Sequence, residues 1–441
     1  MSDGVHRAAA LASQLPEFLG AQGPRRYLFL AQNPAEARGT GGFIGAFAIL
    51  TADNGRLSFS EFDEIQTLPA YHVSEVIAPS AEFARRYDRY GGAGFWHNIN
   101  MTPDFPTAAR AMLALYAKGV GEQLDGVIAT DPFAMQGLVE VAGPVEVPGF
   151  GTVAADDVVD VVSNRAHAEI DDSEQRKGLL GVVAVGAFEG VLEGTKNPVA
   201  ALAALADAAA GGHIVLRSVD PQVQAAFLRA DIAGALPDPP GDFLAVIGNS
   251  QSATKLDYYM RRTINLDVGL NADGSAETAL TLRLHNAAPS AGISHRVIGP
   301  NAKGLAPGEQ NLLVSTYAGQ GAQLAVAAGG QAAVREEVEL GHAVFTTAVA
   351  VPPKVSRTLS LSWQRADAWE RDPDGGRYRL TVAGQTTLRP TAVTVTVTLP
   401  EGMRLAQIPD DVDELGDGRV RVSSRLEQQL VLDLALVHSG G

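Results

Sequence analysis

A change of hydrophobic period at Leu236-Pro-Asp-Pro-Pro-Gly241 constrains this chain more than any other feature. Before it, apolar residues recur at helical spacing between short apolar runs; after it, helix formers thin out and β-branched residues alternate with polar ones. Helical side chains share a face every third or fourth residue and strand side chains every second, so the two patterns bury different faces and call for different cores. The expected fold class is an α/β part followed by an all-β, sandwich-like part. The expected division is a lead-in helix over residues 1–24, an α/β domain over 25–236, and a β region over 244–441 forming one large or two small sandwiches. A chain of 441 residues fits this division, since domains commonly run to about 100–200 residues.

Within the first part, Val5–Phe18 has helical spacing and breaks at Gly20–Pro24. Tyr27–Gln32 is predicted as a buried strand, Asn33–Gly42 as a loop, and Phe43–Thr51 as a second strand. Asn54-Gly55 supplies the positive φ of a tight hairpin into Arg56–Phe62. Pro106 or Thr107 starts a helix to Tyr116. Leu124–Thr130, Pro132–Val141 and Pro144–Val147 predict a strand, a helix and a strand in a βαβ-like crossover, with Asp131 capping the helix. Helices are also expected at Ala154–Arg165, Ser173–Leu192, Val199–Ala210 and Pro221–Ala230. Nine strands are expected in the second part: Leu256–Asn265, Ala279–Asn286, Asn311–Tyr317, Ala343–Val351, Arg357–Trp363, Arg377–Val382, Ala392–Leu399, Arg419–Val422 and Gln429–Val437.

Composition removes several function classes. Hydrophobic residues make up 46% and charged residues 19%, which places the chain among folding sequences. A net charge of -16, with no run of Lys and Arg longer than two, argues against nucleic acid as a partner. With no cysteine there is no disulfide, thiolate metal site or cysteine nucleophile. No Gly-x-Ser-x-Gly elbow and no His-x-x-x-His spacing occurs, and the scattered histidines read as structural. No stretch reaches the ~18–20 apolar residues of a spanning helix, and Met1–Gly20 does not read as a secretory signal. The expectation is either a cytoplasmic protein or an extracytoplasmic one reaching a membrane only through an anchor outside this chain.

Two segments could carry chemistry. Asn33-Pro-Ala-Glu-Ala-Arg38-Gly-Thr-Gly41-Gly42 joins two strands, and its glycines and arginine could cradle an anion, or it could be a plain connection with an exposed charge. The stretch from Asn164 to Lys177 mixes Arg165, Asp171, Asp172 and Arg176; it could hold a hard cation and phosphate oxygens, or be a solvated helix start.

Tyr27–Gly45, Asn98–Pro106, Asp125–Pro132 and Ala142–Val145, with Lys255–Tyr259, Asn271–Gly274 and Leu284–Asn286, resemble a bacterial envelope-associated domain of unknown function. The α/β half is similar in order to the LytR-CpsA-Psr family, phosphotransferases that move glycopolymers from a polyprenyl-pyrophosphate carrier onto peptidoglycan. That resemblance implies catalytic roles for Arg38, Arg165 and Asp172, and ligand contacts at Arg176, Asn33, Gly41, Gly42, Asn98 and Asn100. It further implies Mg²⁺ held by Asp171 and Asp172, a lipid-linked glycan or phosphorylated lipid as partner, a cell-wall polymer as acceptor, and an extracytoplasmic location. Arg38, Arg165 and Arg176 are expected to converge on one anion site. Asn33 stands where the family has an acidic residue, and Phe62–Leu68 lacks the family's Arg-Asp pair, so the alternative is a surface scaffold or binding module that keeps the fold without the reaction.

Overall fold

A computed structural model describes residues 11–170, 172, 175–176, 179, 182–183, 186–187 and 198–439. The chain divides into two compact units, Met1–Leu236 and Pro237–Gly441. Among the described residues no helix is long and apolar enough to cross a membrane.

The first unit is built on a mixed sheet. Residues 11–18 form α1, and Arg25–Asn33 (β1), Phe43–Asp53 (β2), Arg56–Phe59 (β3), Asp63–Glu64 (β4), Gly126–Thr130 (β5) and Ile214–Ser218 assemble in the order β3-β2-β1-β5-(214–218), with β4 against β2. Tyr27, Leu28, Phe29 and Leu30 are buried on both faces of β1, as a central strand requires. The β2–β3 hairpin turns at Asn54 and Gly55, both at positive φ. β1 and β5 run parallel, Tyr27 opposite Gly126 through Ala31 opposite Thr130. Phe18, Tyr27, Phe29 and Ile128 share one core with Met135 and Leu138 of the helix Pro132–Ala142 and with Phe227 of Pro221–Arg229. The helix Phe105–Val120, capped by Asp104, packs on β5 and on Ile214–Ser218.

Two expectations are corrected here. The βαβ crossover is not formed: Val145–Val147 pairs with Gly151–Val153 as a separate hairpin, and the second neighbour of β5 is Ile214–Ser218, antiparallel. Val145-Glu-Val147 buries its valines and exposes Glu146, a pattern that suits a two-stranded ribbon and not the interior of a sheet. The helix expected over Ala154–Arg165 runs further: α-helical Ala155–Asp160 passes through a π turn, Val161–Arg165, into Ala166–Glu169. Most of Ser173–Leu192 lies outside the described residues.

The second unit is two sheets over one core. One holds Gln323–Ala328, Ser356–Arg365, Ala276–Asn286, Met260–Leu270, Thr391–Thr398, Arg419–Leu426 and Asp413–Gly416, in that spatial order. The other holds Arg335–Glu339, His342–Val351, Gln310–Ala318, Asp242–Ser250, Gly375–Ala383, Gln429–His438 and Met403–Leu405, with Glu370–Asp372 beside Gly375–Ala383. Inward residues of both, among them Leu266, Leu280, Trp363, Val395, Val314, Phe345 and Leu434, meet in a single cluster, which makes one large sandwich. Its central strand Asp242–Ser250 was missed in sequence. Phe243-Leu-Ala-Val-Ile247 is a continuous apolar run directly after the Pro-rich segment, and it pairs with Gln310–Ala318 and Gly375–Ala383. A boundary at 244 therefore cuts inside a strand. The expected strand Leu256–Asn265 begins later, at Met260, after a 3₁₀ turn over Leu256–Tyr259.

Candidate functional site

The carboxyl ends of parallel strands are where open α/β sheets most often place ligands, because loops diverge there and leave polar groups at the sheet edge. In this chain β1 and β5 end together, Ala31 beside Thr130.

The chain leaves β1 at Asn33, whose Oδ1 accepts from the Ala35 N–H at 3.0 Å and fixes the turn. Its Nδ2 donates to the Val162 carbonyl at 3.0 Å, tying the loop to the π turn that ends at Arg165. Ordinarily a connection runs over the surface, yet Gln32 through Gly39 are all buried here. Its polar groups must then be satisfied inside the protein. Asn100, with no exposure to solvent, donates from Nδ2 to the Gly42 carbonyl at 2.8 Å and to Thr40 Oγ1 at 3.0 Å, while its Oδ1 is buried without a partner. Gly42 permits this closure, since a Cβ there would collide with the Asn33 carbonyl carbon. Gly41 takes a φ of 120°, which side-chain-bearing residues rarely adopt.

Arg38 is 5% exposed. Its Nε donates to the His97 carbonyl at 2.9 Å, Nη1 to the Ala37 carbonyl at 2.9 Å, and Nη2 to Glu36 Oε1 at 3.3 Å, and the guanidinium lies 5.6 Å from the Phe43 ring centre. The cation thus has a buried counter-charge and two carbonyls within the protein. Asn98 donates to the Tyr90 carbonyl at 2.7 Å and holds the neighbouring loop.

The later cluster is more open. Arg165 pairs through Nε with Glu169 Oε1 at 3.0 Å, one helical turn on, and lies 5.3 Å from the Phe150 ring centre. The Glu169 hydrogen bond raises the pKa of the Arg165 guanidinium. Asp172 is exposed, and its Oδ1 accepts from the Gln175 N–H at 2.7 Å. Arg176 donates from Nη1 to the Ile170 carbonyl at 3.0 Å. Asp171 lies outside the described residues. The structure joins Asn33, Arg38, Gly42 and Asn100 into one loop assembly and links it through Val162 to the helix bearing Arg165. Asp172 and Arg176 bond within their own segment, to Gln175 and Ile170. Among the described residues no three His, Asp or Glu side chains form a cluster able to hold a metal ion.

Sequence reading missed a pair at the same sheet end. Asp131 Oδ1 accepts from the Phe133 and Ala134 N–H groups at 2.8 and 3.2 Å, the expected cap, while Oδ2 lies 2.7 Å from His213 Nδ1. The Phe133 and His213 rings approach to 4.8 Å between centres. A carboxylate beside a ring nitrogen fixes the orientation of the imidazole, so His213 is held at this sheet end. Beside it, Thr130 Oγ1 is buried without a partner. Nothing local marks His213, which lies 82 positions from Asp131.

Residues 22–167 match the profile of a family described as a protein of unknown function (DUF4012). No curated protein matches the chain. Among solved structures, a Legionella pneumophila protein described as a candidate nutrient-binding protein is similar over 45% of this chain and 71% of its own, at 11% identity and a TM-score of 0.29. A Streptococcus agalactiae protein is similar over 50% of this chain and 76% of its own, at 10% identity and a TM-score of 0.31. An M1 zinc metallopeptidase from Deinococcus radiodurans is similar over 40% of this chain and 42% of its own, at 13% identity and a TM-score of 0.22.

Proposed function

We propose that the first unit is a binding module of the bacterial cell envelope that holds a phosphorylated, lipid-linked glycan without transferring it. The envelope setting and the ligand class rest on the resemblance to the LytR-CpsA-Psr order of motifs. The observation that supports binding over transfer is the placement of Arg38. A catalytic arginine has to reach the charge that develops on the leaving pyrophosphate, whereas this guanidinium is buried against Glu36 and two carbonyls. Arg165 is 38% exposed along its side chain and offers a fork for phosphate oxygens.

Calorimetry with a short-chain polyprenyl pyrophosphate, with and without Mg²⁺, tests this. Wild type should bind, and Arg165→Ala should bind at least about tenfold more weakly, the loss of one charge-assisted fork. No glycopolymer transfer should accompany binding. Absence of binding at millimolar ligand would leave the second reading, a surface scaffold, which the internally satisfied Asn33–Gly42 loop also favours.

A further inference from the structure

Four strands end the two seven-strand paths of the sandwich, and three of them are protected against pairing with another chain. Arg335–Glu339 carries one arginine and three glutamates, Asp413–Gly416 carries Asp413 and Glu414, and Met403–Leu405 is three residues long with Arg404 at its centre. Charge on an edge and short edges are the usual devices that block edge-to-edge association. The fourth edge, Gln323–Ala328, has neither. It reads Gln-Leu-Ala-Val-Ala-Ala, pairs only with Ser356–Arg365, and belongs to a stretch with no charged residue from Gln310 through Val334. All of it except Leu324 is exposed, and Val326 is 61% exposed. Its one guarding feature is a bulge between Leu324 and Val326 in the pairing with the neighbouring strand.

We propose that Gln323–Ala328 is a homotypic docking edge, at which a second copy of this chain adds the same strand antiparallel across a two-fold axis. Two observations select a second copy. In a chain of net charge -16 copies repel one another, and of the four path-end strands this one alone adds no charge to that repulsion. The segment is also sterically self-complementary. An antiparallel pair centred on the bulge, between Ala325 and Val326, sets Gln323 opposite Ala328 and Leu324 opposite Ala327, so the larger side chains flanking the bulge each face an alanine. Main-chain hydrogen bonds supply the attraction. A single strand pair buries less than the ~1,200 Å² of a stable interface, so the dimer is weak and concentration-dependent.

Sedimentation equilibrium of the full chain across micromolar concentrations should show monomer and dimer. Val326→Lys places two ammonium groups near the axis and should weaken dimerisation at least about tenfold; Val338→Lys, on the charged Arg335–Glu339 edge, should leave it unchanged. Circular dichroism should be the same for all three. Because the chain has no cysteine, Val326→Cys gives a single thiol, and it should form an intermolecular disulfide faster than Val338→Cys. A wild type that stays monomeric at the highest concentration overturns the proposal. So does a Val326→Lys variant that dimerises as wild type does, whether or not an extended peptide binds that edge.

Discussion

Replacing Arg38 with alanine should destabilise the first unit rather than merely weaken a ligand. The substitution leaves the Glu36 carboxylate, itself buried, facing a cavity where its cation lay 3.3 Å away, and strips donors from the His97 and Ala37 carbonyls. Breaking a buried pair by removing one partner costs about 3–5 kcal/mol, because the remaining charge keeps its desolvation penalty and loses its compensation. For a unit of this size each kcal/mol moves the midpoint by roughly 2–4 °C, so a fall of roughly 6–20 °C is expected. The assay is thermal and urea unfolding of the full chain followed by its helical circular dichroism. Among the described residues that signal comes almost wholly from the first unit, since the second holds only the short helix His295–Ile298 and a 3₁₀ turn. Adding Glu36→Gln should restore much of the loss, as the uncompensated charge is then gone. An Arg38→Ala variant within about 0.5 kcal/mol of wild type would refute the reasoning and return Arg38 to the ligand site.

Three further outcomes are expected. Asp131→Ala loses a helix cap and the His213 contact together, and should cost about 1–3 kcal/mol in thermal unfolding, whereas Asp131→Asn, which keeps a capping oxygen, should cost less. Burial raises the pKa of the Asp242 carboxyl above its ordinary 3.8, with Arg365 opposing the shift. The folded state therefore holds that proton more tightly than the unfolded one, and stability of the sandwich should fall as pH rises through that window. Urea midpoints measured at rising pH above the ordinary 3.8 should show the decline, and Asp242→Asn should flatten its share of it. Residues 237–441 expressed alone should unfold cooperatively. Starting instead at 244 discards the buried Phe243 and Asp242, whose carboxylate lies 3.6 Å from Arg365, and should lower denaturant stability by at least about 1 kcal/mol.

What the sequence determined by itself is what neighbouring residues can encode. The switch of period at 236–241 places the change from α/β to β architecture, Asn54-Gly55 sets its hairpin, and Asp131-Pro132 starts its helix, because side-chain periodicity and backbone dihedral preference act over a few residues. What contacts between distant segments decide was not legible. Ile214–Ser218, and not Val145–Val147, completes the sheet beside β5, and Asp242–Ser250 becomes the central strand of its sheet only through partners at Gln310–Ala318 and Gly375–Ala383. The candidate site shows the same division. The glycines and Arg38 mark the loop as unusual, yet whether a guanidinium meets phosphate or is sealed inside depends on the His97 carbonyl, 59 positions away, and the loop's position depends on Asn33 reaching Val162, 129 positions away. A charge leaves water only where the folded chain surrounds it with a counter-charge and hydrogen-bond partners, and only the tertiary structure supplies that enclosure.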